Sequence, residues 1–395
     1  MTSIAVVNAG SSSIKFAVFG AASTPKLRLR GLIEGIGATP RASLSDAKGE
    51  TLLREEPPPE GFDHAAATQA MMRMAAPWLD GGDIVAVGHR VVHGGPEFSA
   101  PLRLTPVIVD RLMTFIPLAP LHQPHNLAVI RAMFAAYPDL PQIACFDTAF
   151  HRSQPQIAQA FAIPRKYSEE GVRRYGFHGI SYQYVVRRLK EAAPDLAMGR
   201  VIVGHLGNGA SLCAVSAGRS VASTMGFTAV DGLMMGTRCG ALDPGVLIYM
   251  MDQYRMGARD LEDLIYRQSG LLGVSGLSSD MRSLRAAGAP EAKEAIALFV
   301  YRILREIGSL AAALGGLDTL VFTGGIGEND QETRAAVAAG CAWLGVSLDD
   351  EANRRHALRI STEGSAVAVL VIPTDEEVEI ARSAWEFGRD AAGRY

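Results

Sequence analysis

Hydrophobic residues in this chain recur in short runs, and each run stops at a turn rich in glycine, serine or aspartate. Runs bounded in this way predict buried strands. We expect such strands at Ile4–Val7, Ile84–Gly88, Ile143–Phe146, Thr319–Phe322 and Val367–Ile372. Stretches with helical spacing lie between them, and the alternation of the two patterns predicts an α/β protein.

The predicted helices differ in length and polarity. Glu291–Leu314 is the longest and is apolar almost all round, which predicts that it is buried between layers. Residues 20–60 alternate only weakly and end in a charged, proline-rich loop. The segments with helical spacing are Ala65–Leu79, Leu127–Tyr137, Tyr182–Ala192, Val246–Tyr254, Ala258–Gln268, Glu291–Leu314, Gln331–Cys341 and Val378–Phe387.

One pattern, a strand followed by a glycine-rich polar tip and a second strand, occurs twice. The first copy, NAGSSSIKFAV, begins at Asn8, and the second, HLGNGASLCAV, begins at His205. With one copy set under the other, Gly207 falls on Gly10. Two such hairpins indicate a duplicated domain, although few residues are identical and a chance match is the alternative. Backbone N–H groups and hydroxyls at such tips suit phosphate oxygens, whereas an ordinary polar turn needs no ligand.

The stretch Ser223–Gly245 has neither a helical nor a strand period. A loop of this length within a compact chain is usually functional or disordered. Its many apolar residues, among them Met225 and Leu233, argue against disorder. We therefore expect a buried loop that presents Arg238 to an anion. The alternative is a crossover through the core whose arginine reaches the surface.

Single polar residues stand where a strand end or a glycine would present them to a ligand. Arg90 ends an apolar strand just before a pair of glycines. Asp147 follows a buried strand, which is a common active-site position in α/β sheets; a helix-capping aspartate is the alternative. His178 stands between two glycines at the start of a helix, where a structural histidine is the alternative and Ser181 is the expected N-cap.

Two further patterns bear on metal and phosphate binding. His89 and His93 are four residues apart, but the segment is not helical, so structural histidines are a better interpretation than a metal pair. The run Gly324–Gly327 follows a strand and precedes a helix, which is typical of a phosphate site at a helix N-terminus. It is not the GxGxxG dinucleotide fingerprint.

Composition narrows the class of protein. The 395 residues suggest two or three domains, and the net charge of −3 without a basic run argues against nucleic acid as the main partner. No apolar run approaches the length of a membrane span, and no charged leader of a signal peptide precedes the first strand. The four cysteines are far apart without a CxxC pair, which indicates reduced thiols in a cytosol.

Several glycine-rich turns after strands, two arginines on glycine-flanked loops and strand-end acids together suit phosphoryl transfer. Its transition state spreads charge over several oxygens, which arginines, backbone N–H groups and Mg²⁺ stabilise. A Walker A loop and the GxSxG and HExxH motifs are missing from the sequence, so a P-loop or hydrolase interpretation has no support.

Seven sequence blocks resemble those of the acetate/propionate kinase family, in the family's order and over nearly the full length. They are NAGSSSIKF, GHRVVHGG, FDTAFH, YGFHGISY, HLGNGAS, MGTRCGALDPG and FTGGIGEN. The resemblance implies an α/β fold of duplicated actin-like (ribonuclease H-like) ATPase domains, with the active site in an interdomain cleft. It also implies a cytoplasmic homodimer that transfers phosphate reversibly between ATP and a short-chain carboxylate such as acetate, with Mg²⁺ or Mn²⁺.

The resemblance assigns roles to particular residues. Asn8 and Glu376 would position the metal, and Asp147, His178 and Arg238 would be catalytic. Arg90 would bind the carboxylate, His122 would lie near the phosphoryl path, and Val92, Leu121, Phe177 and Ala229 would wall the methyl pocket. The residues implied to contact the nucleotide are Ser11, Ser13, Lys15, His205, Leu206, Gly207, Asn208, Gly209, Asp280, Met281, Arg282, Gly325, Ile326, Gly327, Glu328 and Asn329.

This sequence departs from the family at Ala229, where many acetate kinases have proline, and a smaller residue there would admit a longer acid. We therefore expect acetate to be preferred and propionate to be used appreciably. A propionate- or butyrate-preferring kinase is one alternative, and a non-catalytic actin-like nucleotide switch is another. The expected domains are residues 1–148 with 378–395, and residues 149–377, the latter binding the nucleotide.

Overall fold

The computed structural model describes residues 2–79 and 81–389 of the chain. It divides into two compact units. The first unit contains the chain up to Ala149 and again from Asp375 onwards, and the second is Phe150–Thr374. Each unit is built round its own β-sheet.

The first unit contains a mixed sheet whose strands lie in the order β5-β4-β3-β2-β1-β6-β8-β7. β1 pairs antiparallel with β2 and parallel with β6, and β6 pairs parallel with β8. The strands are β1 (Ser3–Ala9), β2 (Ser13–Gly20), β3 (Leu27–Glu34), β4 (Arg41–Asp46), β5 (Thr51–Glu55), β6 (Ile84–Val91), β7 (Leu102–Arg103) and β8 (Gln142–Phe146).

Helices cover both faces of this sheet, as parallel strands require. The helices are α1 (His64–Ala75), α2 (Pro106–Met113), α3 (Gln123–Ala136) and, from the end of the chain, α16 (Glu376–Phe387). α1 and α3 share a hydrophobic core with one face of β1 and β2. α16 lies on the other face, close enough to β6 that a Cβ at Gly88 would come within 2.5 Å of Ile380.

The second unit contains a five-stranded sheet in the order β11-β10-β9-β12-β13. The strands are β9 (Arg200–Leu206), β10 (Ala210–Ser216), β11 (Arg219–Ser223), β12 (Thr319–Thr323) and β13 (Ala368–Val371). The helices are α4 (Gln156–Gln159), α5 (Arg165–Glu169), α6 (Gly179–Ala192), α7 (Pro194–Ala197), α8 (Pro244–Tyr254), α9 (Ala258–Arg267), α10 (Gly270–Ser275), α11 (Met281–Ala287), α12 (Pro290–Leu314), α13 (Gly324–Asn329), α14 (Gln331–Gly340) and α15 (Asp350–Arg354).

The two sheets repeat one topology, so the duplication expected from the hairpins is confirmed. In each, an antiparallel hairpin (β1–β2 or β9–β10) continues into a third antiparallel strand on one side. On the other side, the first hairpin strand pairs with a parallel strand (β6 or β12), and that strand pairs with a second parallel strand (β8 or β13). This is a duplicated actin-like ATPase fold.

Some expectations about single elements were wrong. Residues 20–60, whose weak alternation led to no strand prediction, contain the three strands β3, β4 and β5. The HQPHN block (residues 122–126), which precedes the predicted helix Leu127–Tyr137, supplies the N-cap His122 and the first turn of α3, where a proline is tolerated. Gly324–Asn329, expected to be a glycine-rich run before a helix, is itself a short helix. α12 buries one face only, since Tyr301 is 56% exposed.

Among the described residues, the structure has no helix that is both long and apolar enough to cross a membrane.

Candidate active site

In the first unit, the β1–β2 tip is a tight turn closed by a backbone hydrogen bond from Gly10 to Ser13 (2.7 Å). Asn8 and Lys15 are directly opposite each other across the hairpin, so their side chains share a face of the sheet. His64, the first residue of α1, hydrogen-bonds to the Gly10 carbonyl at 2.9 Å through Nε2. Ser11 is exposed and Ser13 half-buried at the same tip.

Arg90 and Asp147, which stand at strand ends, and Glu376, the first residue of α16, form one cluster, called here the arginine–aspartate cluster. Arg90 donates from Nε (3.0 Å) and Nη2 (2.7 Å) to the Asp147 carboxylate, a bidentate pair. Its Nη1 lies 3.5 Å from Glu376 in the first turn of α16. β6 and β8 are parallel neighbours, so their ends bring Arg90 and Asp147 together. The capping interpretation of Asp147 was wrong.

The charges of this cluster depend on one another. Burial raises the pKa of Asp147, and the adjacent Arg90 opposes that rise. Burial alone would lower the pKa of Arg90, but the carboxylates of Asp147 and Glu376 outweigh it and raise that pKa. His122, just before α3, also lowers the pKa of Asp147 by its charge. The guanidinium is therefore permanently charged and fixed in orientation.

Two buried amides at the start of α3 fix the loops around this cluster, and sequence reasoning missed both. Asn126 donates to the Ala9 carbonyl (2.8 Å) and accepts from the Val92 N–H (3.1 Å). Gln123 donates to the carbonyl of His93 (2.9 Å) and accepts from its N–H (3.2 Å). Only the distribution of amides in the HQPHN block could have indicated them.

In the second unit, His178, His205, Ser181 and Ser211 form what we call the histidine cluster. The rings of His178 and His205 stack with centroids 4.3 Å apart. His178 Nδ1 lies 2.9 Å from the hydroxyl of Ser211, and His205 Nδ1 lies 2.8 Å from that of Ser181. Ser181 also bonds to Thr374 at 2.8 Å, so its expected capping role was wrong.

The stretch Ser223–Gly245 is a buried loop between β11 and α8, as expected. Met225, Leu233 and Met235 are fully buried. Arg238 donates from Nη1 to the Ala229 carbonyl within the loop, at 3.0 Å. A Cβ added at Gly209 would lie 3.2 Å from His178 Nε2 and 3.7 Å from Arg238 Nη1. The β9–β10 tip therefore brings His178 and Arg238 together.

The same tip borders a cavity of about 1030 Å³, which we call the tip cavity. Three separate segments that were expected to bind nucleotide meet there: Gly207 and Asn208, Asp280 to Arg282, and the α13 residues Gly325, Ile326 and Asn329. The lining residues that sequence reasoning missed are Ser279, Arg285, Asp330, Gln331, Glu332, Arg354 and His356.

Other expected nucleotide residues lie elsewhere in this unit. His205 belongs to the histidine cluster, and Leu206 is fully buried in the core. The Glu328 carboxylate accepts from the backbone N–H groups of Gly324 (2.8 Å) and Thr374 (3.0 Å). Asp280 caps α11 by accepting from Ser283 and pairs with Arg282 at 3.0 Å. The capping carboxylate still lines the tip cavity.

His89 and His93 are structural, as the sequence indicated. His89 bonds to Gln142 at 2.9 Å, and burial lowers the pKa of His89 to about 4. His93 Nδ1 accepts from the Gly95 N–H at 2.8 Å. Within residues 2–79 and 81–389, no three histidine, cysteine or acidic side chains group closely enough to hold a metal by themselves.

The residues expected to wall a methyl pocket are divided between the units. Val92 and Leu121 are half-buried in the first unit. Phe177 is buried in the second unit, where Ala229 is half-buried in the loop Ser223–Gly245.

Comparison with known proteins gives one consistent result. A family model described as the Acetokinase family matches residues 3–382. An acetate kinase of Rhodopseudomonas palustris (strain ATCC BAA-98 / CGA009) is 54% identical over 386 residues, covering 96% of this chain and 97% of the relative. An acetate kinase of Methylocella silvestris is 52% identical over 389 residues, covering 96% of each.

Solved structures agree with the sequence relatives. The crystal structure of Porphyromonas gingivalis acetate kinase superposes with a TM-score of 0.90 at 37% identity, covering 98% of this chain and 100% of that one. A propionate kinase from Francisella tularensis gives a TM-score of 0.91 at 35% identity, with 98% and 100% covered.

Proposed function

The chain belongs to the acetokinase family, and we propose that its arginine–aspartate and histidine clusters together hold acetate and the phosphoryl group in transfer. It is a carboxylate-accepting phosphotransferase that exchanges phosphate between ATP and acetate, giving acetyl phosphate and ADP. The single observation that supports the proposed roles is the position of the β9–β10 tip between the tip cavity and the two side chains His178 and Arg238. Its Asn208 borders the tip cavity, while its Gly209 lies against His178 and Arg238.

The chemistry needs positioning and charge neutralisation rather than a base. A carboxylic acid is ionised at pH 7, so an acetate oxygen attacks the γ-phosphorus of ATP directly and in line. The bond from phosphorus to the β–γ bridging oxygen breaks as the new one forms, and ADP leaves. Charge that develops on the phosphoryl oxygens is stabilised by fixed donors.

Each cluster supplies part of that stabilisation. Arg90 is held by Asp147, and we propose that the guanidinium binds the acetate carboxylate. Arg238, oriented by the carbonyl of Ala229, and His178, oriented by Ser211, would donate to the phosphoryl oxygens. His122 and the methyl-pocket residues would complete the carboxylate side. Because these residues come from both units, the mechanism requires both to act on the same pair of substrates.

The tip cavity is large enough for a nucleotide, since ligand sites usually measure about 300–1,000 Å³. The backbone N–H of Gly325 in the first turn of α13 and the cations Arg282 and Arg285 suit a polyphosphate. We propose that ATP binds there, with Ser11, Ser13 and Lys15 of the β1–β2 tip contacting its phosphates.

Mg²⁺ binds one or two protein oxygen ligands together with waters and substrate phosphates. Glu376 offers a part-exposed carboxylate and Asn8 an amide oxygen, both in the first unit, and this donor set fits Mg²⁺ or Mn²⁺. We propose that these two residues hold the ion. When bound, it would neutralise charge on the nucleotide phosphates.

We propose that the partner is a second copy of the chain, because α8 carries exposed apolar residues. Ile248, Tyr249, Met251 and Tyr254 are each roughly half exposed or more on this helix, and none of its residues is buried. An exposed apolar patch of this kind is typical of an interface. We further propose a cytoplasmic location, where the cysteines would remain reduced.

A coupled assay of acetyl phosphate formation from ATP and acetate tests the proposed roles. We expect activity in the wild type and its loss in Asp147→Asn, which keeps the shape of the side chain but removes the charge that fixes Arg90. Arg188→Lys, an exposed position on α6, serves as the control. If Asp147→Asn matched the control, the arginine–aspartate cluster would have no part in the reaction.

A further inference from the structure

The FDTAFH block ends on His151, a residue to which the proposed mechanism gives no role. His151 is in the second unit and only 2% exposed. It lies in a short 3-10 helix, Ala149–Ser153, with its ring edge-to-face against Tyr182 (centroids 5.5 Å apart). A buried imidazole with specific polar partners on both nitrogens does more than fill space.

Those partners fix the tautomer of His151. Nε2 lies 2.8 Å from the carbonyl oxygen of Phe177, which can only accept, so Nε2 carries the hydrogen. Nδ1 is then the acceptor, and the Ser220 hydroxyl lies 3.0 Å away to donate to it. Ser220 in turn accepts from Gln154 at 3.0 Å. Burial lowers the pKa of His151 to about 4, so at pH 7 the ring is neutral with the one hydrogen that this arrangement needs.

The carbonyl that His151 holds belongs to the peptide immediately before His178. His178 adopts a left-handed backbone conformation (φ 57°), which is unfavourable for a residue other than glycine. Two residues earlier, Gly176 has φ 74°, and a Cβ there would come within 2.6 Å of the His151 ring. The backbone of Gly176 and Phe177 therefore packs against the His151 imidazole and hydrogen-bonds to it. This contact lies next to His178, whose left-handed conformation must be held by the surrounding structure.

We propose that His151 is a positioning residue for the reaction: its Nε2–H holds the Phe177–His178 peptide and so keeps the His178 imidazole against Ser211 and over Gly209. This inference rests on the proposed role of His178. His151 itself touches the backbone before His178 and the core, and it acts on the reaction through His178.

Two variants of similar size separate the hydrogen bond from packing. His151→Gln keeps an N–H donor near the position of Nε2, whereas His151→Leu removes it and leaves the Phe177 carbonyl without that donor. We expect His151→Leu to lower kcat roughly tenfold or more, since a lost buried hydrogen bond has a large effect. We expect His151→Gln to restore most of that loss, with the KM for ATP little changed in both. Equal kcat in the two variants would overturn the proposal.

A double-mutant cycle shows whether the effect passes through His178. In a His178→Ala background, His151→Leu should lower kcat no further, because the residue it positions is gone. If the two losses multiply instead, His151 only supports the fold, and the proposal is overturned while the role of His178 stands. If His178→Ala alone leaves kcat unchanged, the role proposed for His178 fails and that of His151 fails with it.

Melting temperatures identify variants that lose activity by unfolding. Should His151→Leu not fold, Ser220→Ala replaces it in the same cycle, since it removes the hydroxyl that donates to His151 Nδ1 and helps to hold the ring. We then expect a smaller loss of kcat in the wild-type background and none in the His178→Ala background. A loss of equal size in both backgrounds would count against the proposal.

Discussion

A guanidinium held by a neighbouring acceptor keeps one orientation, and both proposed active-site arginines are held in this way. Asp147 fixes Arg90 through two hydrogen bonds, and the carbonyl of Ala229 fixes Arg238 through one. Both side chains are only part-buried, which allows a ligand to reach them. Orientation of this kind is the main contribution a protein makes to phosphoryl transfer.

Removing either arginine should therefore slow the chemical step. We expect Arg90→Ala and Arg238→Ala each to lower kcat on the order of 10³-fold, the usual magnitude for an arginine that contacts a transferring phosphoryl group. Lysine at either position should restore little, because it lacks the planar fork. Steady-state rates of acetyl phosphate formation measure this. Near-normal rates in Arg238→Ala would show that the loop Ser223–Gly245 has no part in the mechanism.

The acid that is accepted should depend on Ala229. Proline adds ring atoms at this position, so Ala229→Pro should leave kcat/KM for acetate nearly unchanged and lower that for propionate. One methylene in a pocket gives ~1–3 kcal/mol of discrimination, so the acetate-to-propionate ratio should rise about tenfold. The matched measurement is kcat/KM for acetate, propionate and butyrate in both proteins. An unchanged ratio would show that Ala229 does not line the pocket.

Residue pairing was the least predictable part of the site. Arg90 and Asp147 could each be chosen from the sequence, because each stands at a strand end. Their bidentate contact could not, since it depends on β6 and β8 being parallel neighbours. The left-handed backbone of His178 was equally hidden, because nothing in its local sequence demands it. Asn126 was missed because it bonds to loops distant in the chain.

At the scale of elements, the short helix α13 depends on one buried side chain. Arg334 of α14 is completely buried and donates to two carbonyls in the last turn of α13, those of Gly327 (3.0 Å) and Glu328 (2.7 Å). It also donates to the Asn353 side chain at 2.8 Å. Since α13 contributes three residues to the tip cavity, Arg334 connects the core to the proposed nucleotide site.

Loss of this guanidinium should loosen α13. In Arg334→Met, several buried acceptors lose their donor, each worth roughly 1–3 kcal/mol. We expect a lower melting temperature and a higher KM for ATP, with the KM for acetate little affected. Arg355→Met, an exposed arginine at the end of α15, is the matched control. If Arg334→Met melts at a lower temperature but has the same KM for ATP as the control, α13 does not contribute to the nucleotide site.

Elements marked by strong local patterns were predicted well. Both hairpins have a buried strand and a glycine-rich tip, and both formed as expected. β3, β4 and β5 were missed because their residues are mostly half-buried or exposed, which leaves a weak alternation. α13 was missed because three of its six residues are glycine, a poor helix former. Its stability comes from contacts such as those of Arg334, which no local pattern reveals.

For the whole molecule, two buried histidines predict a loss of stability in mild acid. Burial lowers the pKa of His89 in the first unit and His151 in the second to about 4, whereas both titrate near 6.5 when unfolded. Well above pH 6.5 the two histidines are neutral in both the folded and the unfolded state, so they cost the protein no stability. As the pH falls from 6.5 towards 4, the unfolded chain takes up protons first, and each histidine removes up to roughly 3 kcal/mol.

Urea denaturation across that window measures the effect. His89→Gln should lose less stability than the wild type between about pH 6.5 and pH 5, whatever its stability at neutral pH, because it no longer gains a proton on unfolding. Parallel pH dependence in the two proteins would show that His89 is not a source of the acid sensitivity.

Assembly can be tested on the apolar residues of α8. We expect the wild type to sediment as two chains and Ile248→Asp to sediment as one, because a charge on the exposed helix would have to be buried in the interface. Val107→Asp, at a position 77% exposed on α2 of the first unit, should remain a dimer. If the wild type sedimented as a single chain, the proposal that α8 joins two copies would be wrong.

The proposed mechanism requires Arg90 and Arg238 to act on a single transition state. The most direct test is a crystal structure with ADP, aluminium fluoride, acetate and Mg²⁺. We predict that Arg90 and Arg238 both lie within hydrogen-bonding distance, ~3 Å, of acetate or the fluoride ligands. A complex in which the two guanidinium groups point into different ligand sites would contradict the account.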